Sequence, residues 1–186
     1  MTQVVEGQRT FSVEEYHRMG AAGVFTSGER VELIWGVIRE MSPKGRRHVQ
    51  AVTLASHLFI PRLSGRAIVL IQDPVSFSGS RSEPEPDIVI CASADPRSAG
   101  SRDSQPLLVI EVADSSLRFD REDKAKLYAL SGVPEYWIVN LVDDVLEVFR
   151  VPESEGYRTR SVLKPSETIC PLSFPELEIE VTDLIP

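Results

Sequence analysis

The chain has 186 residues, 42% of them hydrophobic, which suits one sizeable core and is short for two, so we treat residues 1–186 as a single domain. Its apolar stretches reach about five to seven residues, far below the roughly 18 that span a bilayer, and no signal-like segment precedes them, which predicts a cytoplasmic protein without a membrane partner. A net charge of -8 argues against coating nucleic acid through the overall field, so any contact with a polyanion is expected to be local.

The N-terminal part predicts a short helix and a hairpin. Ser12 and Glu15 have the spacing of a capping box, so we expect a helix from Ser12 to Met19 that ends at Gly20. In residues 29–41, two runs rich in β-forming residues flank a central glycine, which is typical of a tight hairpin. Alternation places Glu32 on the face opposite Val31, Leu33 and Trp35.

A longer helix and four strands are predicted next. From His48 to Leu63, apolar residues recur at three- and four-residue steps, with Pro61 near the exit. These residues are Val49, Val52, Ala55, Phe59 and Leu63. The predicted strands are residues 67–72, 74–78, 86–92 and 107–113. The last two are apolar enough to be central in a sheet.

The C-terminal half predicts a helix from Asp120 to Leu130, a hairpin around Asp143-Asp144, and shorter strands that close an edge from Pro152 onward. This order of elements indicates an α/β fold of the α+β type, with a central mixed β-sheet flanked by helices. We divide the domain into an N-terminal helix and hairpin (11–41), a core (45–150) and C-terminal edge strands (151–186).

Two acidic residues lie within apolar strands: Asp87 at the start of one and Glu111 in the middle of the next. A buried carboxylate without a partner is costly, and magnesium satisfies convergent carboxylates while leaving positions for water and a phosphate oxygen. Asp87 can also be read as an ordinary strand-start residue. Glu111 is harder to dismiss, because strand interiors seldom tolerate glutamate.

Lys124 is the third candidate, because helical spacing puts it on the same stripe as Leu127 and Tyr128. A lysine beside a metal-bound water could orient that water or stabilise charge on the phosphoryl oxygens. The alternative is an exposed ion pair with Asp120, one turn earlier.

Basic residues form two local clusters, each of which could hold phosphate or could be a solvated charged face. The first cluster is Lys44, Arg46, Arg47 and His48, and the second is Arg118, Arg121, Lys124 and Lys126. The two cysteines, Cys91 and Cys170, cannot form a structural zinc set, and Cys91 is expected to be a buried thiol.

Several stretches together resemble the putative restriction endonuclease family of the PD-(D/E)xK nuclease superfamily, over about residues 11–150. The matching stretches are ELIWGVIREMSP with His48 after it, Pro86-Asp87, Glu111-Val112, Asp120 to Lys124 with Tyr128, and GVPEYWIV at 132–139. The resemblance implies a restriction endonuclease-like core and magnesium-dependent hydrolysis, with Asp87 and Glu111 as metal ligands.

The resemblance also assigns weaker roles. The superfamily's usual lysine, two residues after the glutamate, is replaced here by Ala113, and Lys124 occupies the position to which the lysine has moved in this family. Glu32 matches an acidic residue that can complete the metal shell, and a solvent-facing strand residue is an equal reading of it. His48 matches a histidine at the following helix start, where a helix-start residue or a phosphate contact is favoured over a catalytic base.

The sequence therefore predicts an endonuclease that hydrolyses phosphodiester bonds of DNA with Mg²⁺, or with Mn²⁺ as a substitute, and that forms a homodimer if both strands are cut. Two alternatives stay open. One is a catalytically inactive interaction module on the nuclease scaffold, and the other is a metal-dependent phosphatase or nucleotide hydrolase. The glycines show neither dinucleotide-binding nor P-loop spacing.

Overall fold

The computed structural model describes residues 7–77, 80–92, 95, 97 and 105–186. Its elements in chain order are α1 (Val13–Ala21), β1 (Val31–Ile34), β2 (Val37–Glu40), α2 (Arg46–Leu63), β3 (Ile68–Ile71), β4 (Ile88–Cys91), β5 (Pro106–Ala113), α3 (Leu117–Phe119), a π-helical turn (Asp120–Lys124), α4 (Ala125–Leu130), β6 (Glu135–Asn140), β7 (Val145–Glu153), β8 (Gly156–Leu163), β9 (Thr168–Ile169), β10 (Ile179–Glu180) and a 3₁₀ turn (Val181–Asp183).

A six-stranded sheet in the order β3-β4-β5-β6-β7-β8 forms the centre of the molecule. All neighbours are antiparallel except β5 and β6, which run parallel. A parallel pair needs a crossover connection, and the helical run from α3 through α4 supplies it. This mixed sheet with flanking helices confirms the predicted fold class.

Each face of the sheet packs against helices, because alternate residues of a strand point to opposite faces. On one face, Phe59 of α2 lies near Trp137 of β6, with ring centroids 6.2 Å apart. On the other, Tyr128 of α4 packs on Tyr136 of β6 at 5.0 Å. Neighbouring residues of β6 thus serve two cores.

The hairpin β1–β2 forms as predicted, and its turn explains the glycine. Trp35 and Gly36 both have positive φ, 55° and 76°, as a type I′ turn requires. A Cβ at Gly36 would also lie 2.7 Å from the Cβ of Thr10. Leu33 and Glu83 exchange backbone hydrogen bonds of 3.2 and 2.7 Å, which fix the hairpin beside the segment that leads into β4.

The helix boundaries differ from the predictions by a few residues. Ser12 caps α1 through the expected capping box, but the helix continues to Ala21, and Gly23 rather than Gly20 takes a left-handed conformation, with φ 71°. α2 begins at Arg46, and Val49, predicted on its buried side, is half exposed because it lies at the rim of the apolar stripe. The third helical run begins at Leu117 rather than Asp120.

Two predicted strand regions need correction. Residues 74–77 form no named strand, since the prolines at 74, 84 and 86 lack the N–H that a ladder needs. The Val75 N–H donates to the Pro84 carbonyl at 2.9 Å, and Phe77 forms an isolated bridge with Ser82; residue 78 lies outside the described residues. At the C-terminus, β8 is a full edge strand of the main sheet, whereas β9 and β10 form a small sheet of their own.

Cys91 is a buried thiol, as predicted, and Cys170 is half-buried; neither forms a disulfide within the described residues. Among the helices of the described ranges, none is both long enough and apolar enough to cross a membrane.

Candidate active site

Strand register brings Asp87 and Glu111 together. Ile88 of β4 is paired with Ile110 of β5, so one step further along this antiparallel pair Asp87 stands opposite Glu111. The Asp87 N–H approaches Glu111 Oε2 at 3.4 Å, and the Val112 N–H donates to Asp87 Oδ2 at 2.9 Å. The two carboxylates share one end of the strand pair, as predicted.

Asp87 accepts three hydrogen bonds. Gln72 Nε2 donates to Oδ1 at 2.9 Å, and His48 Nε2 and the Val112 N–H lie 3.0 and 2.9 Å from Oδ2. Burial raises the pKa of Asp87, but these bonds outweigh it and hold the pKa below its usual value. Asp87 is therefore an anion at neutral pH.

His48 fixes Asp87 from the first turn of α2. An ionised carboxylate only accepts hydrogen bonds, so Nε2 of His48 carries the proton that it shares with Asp87. Its Nδ1 is buried without a hydrogen-bond partner among the described atoms. This geometry gives His48 the role of orienting Asp87.

Glu111 is bound by the helical run above the sheet. Lys124 Nζ and the Tyr128 hydroxyl donate to its Oε1 at 3.0 and 2.6 Å. The pKa of Glu111 is raised to about 8, mainly by burial and also by the nearby Asp120 and Asp87 carboxylates, although the Lys124 ammonium acts in the opposite direction. Burial lowers the pKa of Lys124, but the carboxylates around it more than reverse this and raise it, so Lys124 stays charged.

Glu32 reaches the same lysine from the hairpin. Its Oε2 lies 3.2 Å from Lys124 Nζ and accepts a 3.4 Å bond from the Glu85 N–H. Lys124 thus lies between Glu111 and Glu32, and the alternative of an exposed pair with Asp120 is wrong, because Lys124 is buried with these two carboxylates.

Asp120 is a buried carboxylate whose place sequence reasoning missed. It lies at the start of the π-helical turn and accepts a 2.6 Å bond from the Ser116 hydroxyl. Burial raises its pKa to about 6, against the opposing effects of Lys124 and Ser116. Its backbone oxygen accepts bonds from the Ala125 N–H, closing the π-turn, and from the Tyr136 hydroxyl at 3.2 Å.

All five predicted site residues line one cavity of about 230 Å³. They are Glu32, His48, Asp87, Glu111 and Lys124. Asp120 lines it too, so four buried carboxylates surround one buried ammonium. Gln72 and Tyr128, which bind the two central carboxylates, carried no predicted role. The family match did include Tyr128, but nothing in the sequence marks Gln72.

The carboxylate oxygens of this cavity are the ligands that a hard divalent cation prefers. Among the described residues, however, no three His, Cys, Asp or Glu side chains lie together in the arrangement of a metal site. Magnesium is commonly held by one or two carboxylates, with waters and substrate oxygens completing its shell. A carboxylate offers about four acceptor positions, and Asp87 and Glu111 each use three. The excess of carboxylates is the charge that a cation would balance.

Most members of the two basic clusters face away from this cavity. Arg47 binds the Leu141 carbonyl at 2.8 Å and also Asp144. In the second cluster, Arg118, Arg121 and Lys126 pair with Glu122, Glu147 and Glu155 respectively. Of the predicted phosphate contacts, Lys44, His48 and Lys124 line the cavity.

The mixed sheet, the flanking helices and the carboxylate–lysine cluster define a nuclease-like fold. A crystal structure of a putative nuclease belonging to DUF820 from Anabaena variabilis ATCC 29413 is similar in fold, with a TM-score of 0.66. The match covers 94% of this chain and 97% of that chain at 18% sequence identity.

The family model Uma2, described as "Putative restriction endonuclease", matches residues 13–182, so the chain belongs to this family. No curated protein matches the sequence significantly. Membership of this family supports a hydrolase role.

Proposed function

We propose that this chain is a metal-dependent endonuclease that hydrolyses phosphodiester bonds of DNA. The observation that carries the proposal is the Asp87–Glu111 pair, set side by side by strand register, with Lys124 bound to Glu111. The family's description and the fold of the DUF820 nuclease support the same class of reaction.

Asp87 and Glu111 would hold Mg²⁺, or Mn²⁺ in its place, and Glu32 is the third carboxylate of the set. The bound ion would lower the pKa of a water ligand and polarise the scissile phosphate. Asp87 is suited to this because it is already ionised. Glu111 has to lose its proton when a cation binds, so binding should release protons.

Lys124 supplies a fixed positive charge. Its ammonium is held at 3.0 Å by Glu111 and at 3.2 Å by Glu32, so its position is set before substrate arrives. A preorganised donor of this kind stabilises negative charge as it develops on phosphoryl oxygens, and it can orient the attacking water. His48 contributes by holding Asp87, and Lys44 at the cavity would contact the DNA backbone.

Cleavage assays test the proposal. Plasmid, linear duplex and single-stranded DNA are incubated with wild type, Asp87→Ala and Glu111→Ala in Mg²⁺ or Mn²⁺, beside nucleotides and phosphomonoesters. We expect wild type to cut DNA and both variants to be inactive. Equal cleavage by all three proteins would end the proposal, and turnover of the small molecules alone would replace it with the phosphatase class.

Calorimetric titration with Mg²⁺ and Mn²⁺ gives a second readout that does not depend on turnover. Wild type should bind a divalent ion and release protons to the buffer, and Asp87→Ala should bind it far more weakly. A folded wild-type protein that binds neither ion would favour the inactive interaction module.

A further inference from the structure

The carboxylates and the lysine of the proposed site are almost fully buried in the cavity wall. Glu111 and Lys124 are each 4% exposed and Asp87 is 7% exposed. The cavity volume of about 230 Å³ corresponds to roughly eight waters at about 30 Å³ each. A volume of this size accommodates a phosphate with its sugar more readily than a base pair.

One wall of the cavity carries a stacked pair. The guanidinium carbon of Arg39 lies over the ring of Phe119, 4.0 Å from its centroid, and both side chains line the cavity. Both are half-buried. Aromatic rings and arginine planes are the groups on which unpaired bases stack, whereas a base inside a duplex has no free face.

A second, more open depression of about 370 Å³ continues the cavity and shares Arg30 and residues 40–44 with it. Burial lowers the pKa of Lys44, and the nearby Arg30 charge lowers it further. Arg30 itself pairs with Glu85. Lys44 and Arg30 thus place positive charge at the depression beside the cavity, next to Glu40 and to Glu85, the partner of Arg30.

The few basic side chains at the cavity suit one phosphate backbone rather than two. Duplex DNA carries a negative charge about every 1.7 Å of its axis, and proteins that hold it neutralise phosphates of both strands. Here Arg47, Arg118 and Arg121 are bound to acidic side chains of the same chain. Besides His48 and Lys124, the basic side chains that line the cavity are Arg30, Arg39 and Lys44, and Arg30 also pairs with Glu85.

We propose that the site acts on unpaired DNA, in a single strand or a flap, with a base next to the scissile phosphate stacked on the Phe119–Arg39 pair. This inference rests on the proposed function and specifies its substrate.

Binding and cleavage are measured separately to test it. Fluorescein-labelled oligodeoxynucleotides of one sequence are prepared as a single strand, as a blunt hairpin duplex and as the same duplex with a single-stranded flap. Fluorescence anisotropy in Ca²⁺ gives affinity, and gel analysis in Mg²⁺ or Mn²⁺ gives cleavage. We expect the single strand and the flap to bind at least about tenfold more tightly than the duplex, and cuts to fall in unpaired positions.

Two substitutions of Phe119 distinguish aromatic stacking on a base from simple filling of space by an apolar side chain. Phe119→Leu should weaken single-strand binding about tenfold, and Phe119→Trp should retain it, because one base–aromatic stack accounts for a change of this size. Phe25→Ala is the matched control: Phe25 is also half-buried, but it packs on Tyr16 outside the cavity, so single-strand affinity should not change.

The outcomes distinguish this inference from the proposed function. Single-strand preference that depends on Phe119, without cleavage in either metal, supports the binding mode and overturns the nuclease assignment. Cleavage with equal or higher affinity for the blunt duplex overturns the inference and leaves the nuclease intact. A Phe119→Leu variant that binds single strands as tightly as wild type also overturns it.

Discussion

Two glutamates in one row across the sheet differ in how their charges are balanced. Glu111 on β5 is paired with Ile138 on β6, which is paired with Glu147 on β7, so the two carboxylates lie about 10 Å apart on one face. The same π-helical turn binds both, with Arg121 on Glu147 and Lys124 on Glu111.

Glu147 is held by cations and amides in excess. Arg121 Nε donates to its oxygens at 3.0 and 3.1 Å, Arg160 lies at 2.9 Å, and Asn140 donates at 3.0 Å. Around Glu111 the excess is reversed, since carboxylates outnumber the one buried ammonium. A buried glutamate whose surroundings leave negative charge unbalanced is therefore the better candidate for binding a cation.

The largest expected effect is on catalysis, and it should be confined to one of the two glutamates. Glu111→Gln should lower the rate of DNA cleavage by at least about 10³-fold, because it removes one of the two proposed metal ligands. Its stability at pH 7 should rise rather than fall, because burial raises the folded-state pKa of Glu111 from 4.5 to about 8, and the folded wild type therefore binds a proton that the unfolded chain has released. Single-turnover cleavage and thermal unfolding measure both.

Glu147→Gln is the control for this experiment and should cleave at the wild-type rate per folded molecule. Comparable losses of cleavage in the two variants would remove the distinction between the glutamates.

Asp120→Asn should change the stability of the protein in a way that depends on pH. The folded-state pKa of Asp120 is raised from 3.8 to about 6, so the folded protein binds a proton that the unfolded chain releases, and stability falls as pH rises through this window. The variant should be more stable than wild type by up to about 3 kcal/mol at pH 7. Urea unfolding should show this gain vanishing near pH 4, and a gain that is constant with pH would contradict the assignment.

The next effect concerns stability. Glu147→Gln should lower the free energy of unfolding by about 2 kcal/mol, because the arginines lose an ionised partner that is fully buried. This corresponds to a fall of about 6 °C in Tm for a chain of this size. An unchanged Tm would mean that the ion pairs of Arg121 and Arg160 with Glu147 add no stability over hydration of the two arginines.

The smallest expected effect tests how the π-turn is held. Tyr136→Phe removes the hydrogen bond to the Asp120 carbonyl and should lower the free energy of unfolding by about 1 kcal/mol. Cleavage should fall a few-fold, because the turn would then hold Lys124 less firmly. Tyr157→Phe is matched to it, because Tyr157 donates to the Val133 carbonyl at 2.8 Å, away from the cavity. It should lose similar stability without losing activity, and equal activity losses would assign no special role to the π-turn.

Much of the fold follows from local patterns. The capping box at Ser12, the Gly36 hairpin and the apolar stripe of α2 are visible in sequence because each depends on residues a few positions apart. The π-turn and the irregular 74–77 segment are not, since one depends on a bond from Tyr136 and the other on prolines in the facing segment.

The candidate site shows the same limit. Glu111 stands out in LLVIEVA, but Glu147 in VLEVFRV has the same local signature and a different role. The two glutamates differ in the side chains that bind them, and these lie far away in sequence: Arg121 is 26 residues from Glu147 along the chain. Gln72 and Asp120 were missed for this reason, because their importance comes from the neighbours that folding brings to them.

The π-helical turn has a consequence for how this segment can vary. A residue lost from it would rotate every later position of α4 by about 100° relative to Arg121. Lys124 would then leave Glu111 while Arg121 still held Glu147. Insertions and deletions in this turn would therefore separate Lys124 from the Arg121–Glu147 ion pair, whereas substitutions that keep its length and retain these two side chains would not.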